Sequence, residues 1–453
     1  MLSLGNKINL KIGKNLSKRL TEELMVNFTY TVCDVKTEVI DEENVIYMEN
    51  GERIELADND YGYNVTENGA FFTGKDVFHT LLSFMAVIDK IEMKEDQSVY
   101  IDDKYCKRIL KKAYIEFRSL HLCVSGATDM YMFEKSIRLA AFLGYSHIIL
   151  EVTELNFDCM KELGWEGRQR TKEDIRKIVA VAKEFGIDVI PSYNVLGHAA
   201  KTGVLGGKHI VLDQNPKLAY LFSPSGWEWN IKVKEVYDIT ISIIDEMLEV
   251  FGDGEYYHIG VDETFTYEET EESLKEFADF INRVVKHIES KGRRVMMWGD
   301  MLLSHERYSG QPYFANGQKI EFEGVLADNL SKNIIIVDWQ YRQLEKPWIT
   351  SKYLKEKGFD VICCSWKHTF ENVDSAMDTV IDEGLFGFMQ STWHPMYENI
   401  ETYIRVIHGG LRSFDKDSVK NLSNDVSYTL KTVSPALRKL MPSPNVEKAG
   451  FPL

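Results

Sequence analysis

Cysteine is scarce in this chain: six residues in 453, at Cys33, Cys106, Cys123, Cys159, Cys363 and Cys364, with no CxxC pair among them. That leaves neither a disulfide framework nor zinc-finger spacing, and the pattern fits a reducing, cytoplasmic setting. Proline is scarce too, 10 residues against 30 glycines, which excludes fibrous and proline-rich classes. Long hydrophobic runs are missing. Stretches such as Ala140–Leu143 and Ile334–Val337 fall far short of the roughly 18 apolar residues of a membrane helix. The opening MLSLGNKINLKIGKNLSKRL has no continuous apolar core of the kind a secretion signal needs. On that expectation the sequons at Asn27, Asn64 and Asn421 carry no glycan. Basic charge is also in deficit. Fifty-three Lys and Arg against 70 Asp and Glu give a net charge of -17 with no basic block, so nucleic acid is not an expected partner, and neither is a membrane.

What is present is a globular composition, 44 % hydrophobic and 27 % charged, long enough for a large barrel with a smaller companion domain. The first hundred residues read as a small α+β domain, assigned to residues 1–108. Asn27–Ile40 and Asn44–Leu56 carry β-branched and aromatic residues between turn signals, and YGYNVTENGAFFTG places a hairpin at Asn68-Gly69. Asp76–Ile88 predicts a helix with Val77, Leu81, Leu82 and Met85 on one face.

From residue 109 to 410 apolar runs alternate with amphipathic helices. Strands are expected near residues 118, 147, 187, 256, 294, 334, 360 and 385. Helices are expected at Met130–Leu143, Lys172–Phe185 (Thr171 and Asp174 forming a capping box), Glu235–Phe251 and Glu269–Ser290. Several of the strands lack alternation, as strands buried on both faces do. Eight such units predict a (β/α)8 barrel of the TIM type. An open doubly wound sheet is the rival, weakened because no glycine-rich phosphate loop follows the first strand. Residues 411–453 are read as a C-terminal helical extension. The stripe Val419, Leu422, Val426, Leu430 and Val433 would cover the barrel or seat a second copy of the chain in a homodimer.

Chemistry in such a barrel collects at the C-terminal ends of its strands. Arg118 lies within the first strand segment, Glu151 and Glu154 follow the second, and His198 lies beyond the third. The fourth ends in His258, Asp262 and Glu263, the fifth in Trp298 and Asp300, and the sixth in Asp338, Trp339 and Tyr341. Trp366 and Trp393 with His394 close the series. Tryptophan at four strand ends, out of eight in the chain, implies flat apolar walls around a central site, a shape suited to the C–H faces of sugar rings.

The strongest local signal is HIGVDETF. Two adjacent carboxylates at a barrel mouth raise the pKa of one member, so that one stays protonated as a general acid while the other stays ionised. A surface acidic pair is the plain alternative. A metal set of His258, Asp262 and Glu263 is disfavoured because successive strand-end side chains point apart, and no cofactor or metal is expected.

HIGVDE resembles the His-x-Gly-x-Asp-Glu signature of the family 20 glycoside hydrolases, the β-N-acetylhexosaminidases. FRSLHL is similar to that family's first strand with its sugar-binding arginine, IPSYNVLGH to its third, and VMMWGD, IIIVDW and GFMQSTW to its later strands with Trp298, Trp339 and Trp393. The resemblance implies substrate-assisted, retaining hydrolysis of a terminal β-linked N-acetylhexosamine. Glu263 would be the general acid and Asp262 would orient the 2-acetamido group. The tryptophans would wall its pocket, Arg118 would hold sugar hydroxyls, and His198 and His258 would support the carboxylates. Val261 stands where the family has glycine and Asn194 where an acidic residue is usual. SWKHTFEN, with Trp366, lacks the family's tyrosine, for which Tyr341 is a substitute. Two other readings are carried forward. A glycosidase acting on a plain sugar would need a carboxylate nucleophile from Glu151, Asp300 or Asp338. A carbohydrate-binding barrel would leave the Asp-Glu pair idle.

Overall fold

The computed structural model describes residues 1–29, 34–152, 154–163, 169–199, 212, 215–265, 267–367, 369–394, 396 and 399–416. The stripe from Val419 to Val433 lies outside them. Eight parallel strands close into a barrel in chain order: Phe117–Val124, His147–Val152, Asp188–Ser192, Tyr256–His258, Arg294–Trp298, Ile335–Trp339, Asp360–Ser365 and Gly387–Gln390. The eighth pairs with the first, Phe117 opposite Gly387. Each of the eight expected strands is present.

The helices between them follow from local signals. Thr171 and Asp174 form the reciprocal capping box at the start of Lys172–Glu184, a device that stabilises a helix end by about 1 kcal/mol. Met130–Leu143 is capped by Asp129 at its start and ended by Gly144 in the left-handed region. Among the described residues no helix is long and apolar enough to cross a membrane.

Before the barrel lies a six-stranded sheet ordered 34–40, 7–13, 45–49, 69–74, 61–65, 108–111, with a three-stranded sheet of 2–5, 99–101 and 91–93. The hairpin at Asn68-Gly69 forms as expected, Tyr61–Val65 antiparallel to Gly69–Gly74. Asn27 is not the start of a strand. It falls in the helix Lys18–Thr29, where Leu20, Leu24 and Met25 are buried at helical spacing, and the strand begins at Asp34.

Alternation along the strands sorts the barrel's two sides. Phe117, Ile149, Ile190, Met296, Trp298, Ile335, Val337, Trp339 and Met389 fill the interior, whereas Leu120, Leu122 and Val124 pack against the helices. At the N-terminal end Phe117 stacks on His147 at 4.2 Å and meets Tyr256 and Phe386, an aromatic plug that closes the barrel floor. Burial, and then the Arg118 charge, push His147 down to about 3, so the plug is neutral. Among the described residues this closes the N-terminal end and leaves the C-terminal mouth open.

Candidate active site

The fourth strand ends at His258 and the chain then turns through residues that local sterics disfavour. Gly260, Val261 and Glu263 have φ of 72°, 73° and 51°, and for β-branched Val261 this is an outlier that surrounding bonds must hold. Two neighbours hold it. Asn194 Oδ1 accepts the N–H of Val261 at 3.1 Å and that of Leu196 at 3.1 Å, while its Nδ2 donates to Asp262 Oδ1 at 2.5 Å. Asp300 Oδ2 accepts the N–H of Glu263 at 3.0 Å. Gly197 permits the approach of the third-strand loop: a Cβ there would sit 2.3 Å from the carbonyl oxygen of Asp262.

The two carboxylates emerge side by side. His198, beyond the third strand, brings Nε2 to 3.3 Å from Asp262 Oδ2 and 3.3 Å from Glu263 Oε2. Asp262 is the inner member, its side chain 6 % exposed, and Glu263 the outer one at 36 %. Trp227 packs on His198 at 4.3 Å and donates to the carbonyl of Glu263 at 2.7 Å. The carboxyl of Asp300 is pushed up to about 7, by burial first and the charge of Asp262 second. Its three donors, Glu263 N–H, Asn316 Nδ2 and Trp339 Nε1, oppose that rise.

An aromatic wall faces these groups. Trp298 lies 5.4 Å from Trp393 and 4.4 Å from His258, Trp339 lies 5.2 Å from Tyr341, and Tyr341 lies 5.3 Å from Trp366. Trp393 Nε1 and Ser391 Oγ donate to the Tyr341 hydroxyl at 2.7 and 3.3 Å. His258 accepts the N–H of Gly260 at Nδ1, which leaves the ring proton on Nε2, and it packs against Trp298 inside the barrel.

A family model described as glycosyl hydrolase family 20, catalytic domain, matches residues 158–398. The chain belongs to glycosyl hydrolase family 20. Beta-hexosaminidase of Emericella nidulans is 24 % identical over 216 residues, 43 % of this chain and 32 % of that protein. Lacto-N-biosidase of Bifidobacterium bifidum is 27 % identical over 159 residues, 31 % of this chain and 13 % of that one. The matched stretches thus span a third or less of those relatives. Among solved structures, a β-N-acetylhexosaminidase from Bacteroides fragilis superposes with a TM-score of 0.68 at 14 % identity, covering 100 % of this chain and 96 % of that one. The chitobiase of Flavobacterium johnsoniae also gives 0.68, at 16 % identity, over 97 % of this chain and 70 % of that one.

Within this family 20 barrel, two expected site residues lie elsewhere. Arg118 is the second residue of its strand and faces outward at the closed end, because Phe117 takes the inward position. It donates to the carbonyls of Gly144, Ile115 and Glu116 and lies 5.2 Å from the Phe414 ring. Burial pushes its guanidinium down to about 10. It ties the barrel floor to the helix Ile400–Phe414, at the end of the barrel opposite the mouth where a sugar hydroxyl was expected. Asp338 likewise faces outward, since Trp339 points in. It accepts from Thr350, Ser351 and Gln340 at 2.7, 2.6 and 2.7 Å. Glu151 is buried against His121, Nε2 to Oε2 3.1 Å, and Glu154 accepts the N–H of Gly126.

The sequence reading missed His121, Trp227 and Asn316. His121 was visible by parity, two positions on from Ser119 and four from inward Phe117. Trp227 and Asn316 sit in long connections where no periodic signal marks a residue.

Proposed function

We propose that this family 20 barrel is a retaining β-N-acetylhexosaminidase that uses the substrate's own 2-acetamido group as nucleophile. The observation that carries the reading is the placement of Asp262 and Glu263 on one histidine at a mouth walled by four tryptophans. Glu263, the more exposed carboxyl, protonates the glycosidic oxygen as the C1–O bond breaks, and the acetamido oxygen closes on C1 to give an oxazolinium ion. Asp262, the inner of the two, faces the positive charge that develops on the acetamido nitrogen. Glu263 as carboxylate then takes a proton from the water that opens the ring, which restores the acid and releases the β-anomer. An intramolecular nucleophile gains from its large effective concentration. Tyr341 supports the same pocket: its hydroxyl accepts from the Trp393 indole, which can only donate, so its own proton is left to donate to the acetamido oxygen.

The substrate class is a glycan or small glycoside ending in β-linked GlcNAc or GalNAc. The plain-sugar reading is the less supported one. Of its candidate nucleophiles, Asp338 faces away from the mouth, Glu151 is held on His121, and Asp300 is engaged by three donors beneath the Glu263 loop. Release of 4-nitrophenol from the N-acetyl-β-glucosaminide, the N-acetyl-β-galactosaminide and the plain β-glucoside tests it, with heat-denatured chain as the blank. Turnover restricted to the N-acetyl sugars is the expected result. Turnover of the plain glucoside overturns the acetamido-assisted mechanism.

A further inference from the structure

The first two barrel strands carry a group of donors that the proposed reaction does not use. His121 and Cys123 are two residues apart on the first strand and so share its inward side. Glu151 on the second strand stands in register with Cys123. One donor atom from each of the three lies within 4.8 Å of the others, and His121 Nε2 to Glu151 Oε2 is 3.1 Å. His121 is fully buried, Glu151 is 3 % exposed and Cys123 is half-buried. The second ring nitrogen of His121, Nδ1, is buried without a hydrogen-bond partner.

An imidazole, a thiol and a carboxylate are an expensive way to fill a barrel interior, where Ile149 and Ile190 do the same work as hydrocarbon. As ligands they are well matched. Nitrogen, sulfur and oxygen together select a borderline-soft divalent ion, and the thiol disfavours magnesium and calcium. Zinc bonds of about 2.0–2.3 Å place neighbouring tetrahedral ligands roughly 3.3–3.8 Å apart. The 3.1 Å edge and the 4.8 Å limit straddle that spacing, so small rotamer changes close the set.

We propose that His121, Cys123 and Glu151 form a binding site for a zinc-class divalent cation on the barrel wall. Three protein ligands leave a fourth position for water or a ligand oxygen. Binding converts the Cys123 thiol to a thiolate and releases its proton to solvent. The site adjoins the aromatic wall, the His121 ring being 4.8 Å from Trp393 and 5.7 Å from Trp298, so a bound cation would bias the neighbouring pocket.

The test is titration of the chelator-stripped, reduced chain with Co²⁺, followed by absorbance. The expected result is visible d–d bands of a four-coordinate ion together with a sulfur-to-cobalt charge-transfer band in the near ultraviolet, both bleached by Zn²⁺. Cys123→Ser removes the charge-transfer band, and Cys123→Ser, His121→Gln and Glu151→Gln each weaken binding by about 100-fold or more, a direct ligand costing at least as much as the outer partners that orient it. Cys159→Ser, at an exposed thiol, leaves the spectrum unchanged. Circular dichroism confirms that each variant is folded, and near-isosteric Glu151→Gln carries the test if Cys123→Ser does not fold. A folded wild-type chain without cobalt bands overturns the proposal, as do bands that persist in both Cys123→Ser and Glu151→Gln. The readout uses no glycoside, so failure here and failure of the hexosaminidase reading are separate results.

Discussion

Asn194 and Asp262 are joined by a 2.5 Å hydrogen bond from the amide Nδ2 to the carboxylate Oδ1, while the Asn194 oxygen holds the N–H of Val261 in the left-handed turn just before it. One neutral side chain therefore orients the inner carboxylate and stabilises the disfavoured backbone that presents both acids. An acidic residue at 194 would accept but not donate, and would add a like charge beside Asp262.

Asn194→Asp is accordingly expected to lower kcat on an N-acetylhexosaminide by about 100-fold or more at neutral pH, with a smaller change in KM. Asn194→Ala orphans two buried N–H groups and is expected to cost about 2–3 kcal/mol in urea unfolding. Steady-state kinetics and the unfolding midpoint read the two effects separately. Wild-type kinetics in both variants would remove Asn194 from the positioning of Asp262.

Asp262→Asn is expected to reduce kcat with little change in KM, because the charge it faces develops mainly in the transition state. Glu263→Gln is expected to lose most turnover of substrates with poor leaving groups and much less with 4-nitrophenol, whose departure needs little protonation. Equal losses on both leaving groups would place the general acid elsewhere.

Asp300 is expected to make stability depend on pH. Its carboxyl is raised from the ordinary 3.8 to about 7 in the folded chain. A group raised on folding binds its proton more tightly in the folded state, so its stabilising contribution is complete below pH ~4 and is lost as pH rises through about 7. Thermal unfolding from pH 4 to 8 should show that decline, and Asp300→Asn should flatten it. An unchanged pH slope in the variant would assign the decline to other groups.

Arg118→Met is expected to leave KM and kcat on N-acetylhexosaminides unchanged while destabilising the chain by about 2–4 kcal/mol, since the carbonyls of Gly144, Ile115 and Glu116 lose a charged donor in a buried setting. Kinetics beside denaturant unfolding check this. A rise in KM with stability intact would return Arg118 to the sugar site.

The amino-acid sequence alone determined the eight strands, the capped helices between them and the Asp262-Glu263 pair at the fourth strand's end. Doubly buried strands are continuous apolar runs, caps are set by residues three positions apart, and an acidic pair after an apolar run is visible locally. It did not determine which way a strand residue faces. In a strand buried on both sides, both parities are apolar, so Arg118 and Asp338 read as mouth residues although Phe117 and Trp339 take the inward positions beside them. The bond from Asn194 to Asp262, the histidine set between two carboxylates and the meeting of His121, Cys123 and Glu151 were decided only by barrel closure. Closure brings together strand ends tens of residues apart, at distances that no local spacing encodes.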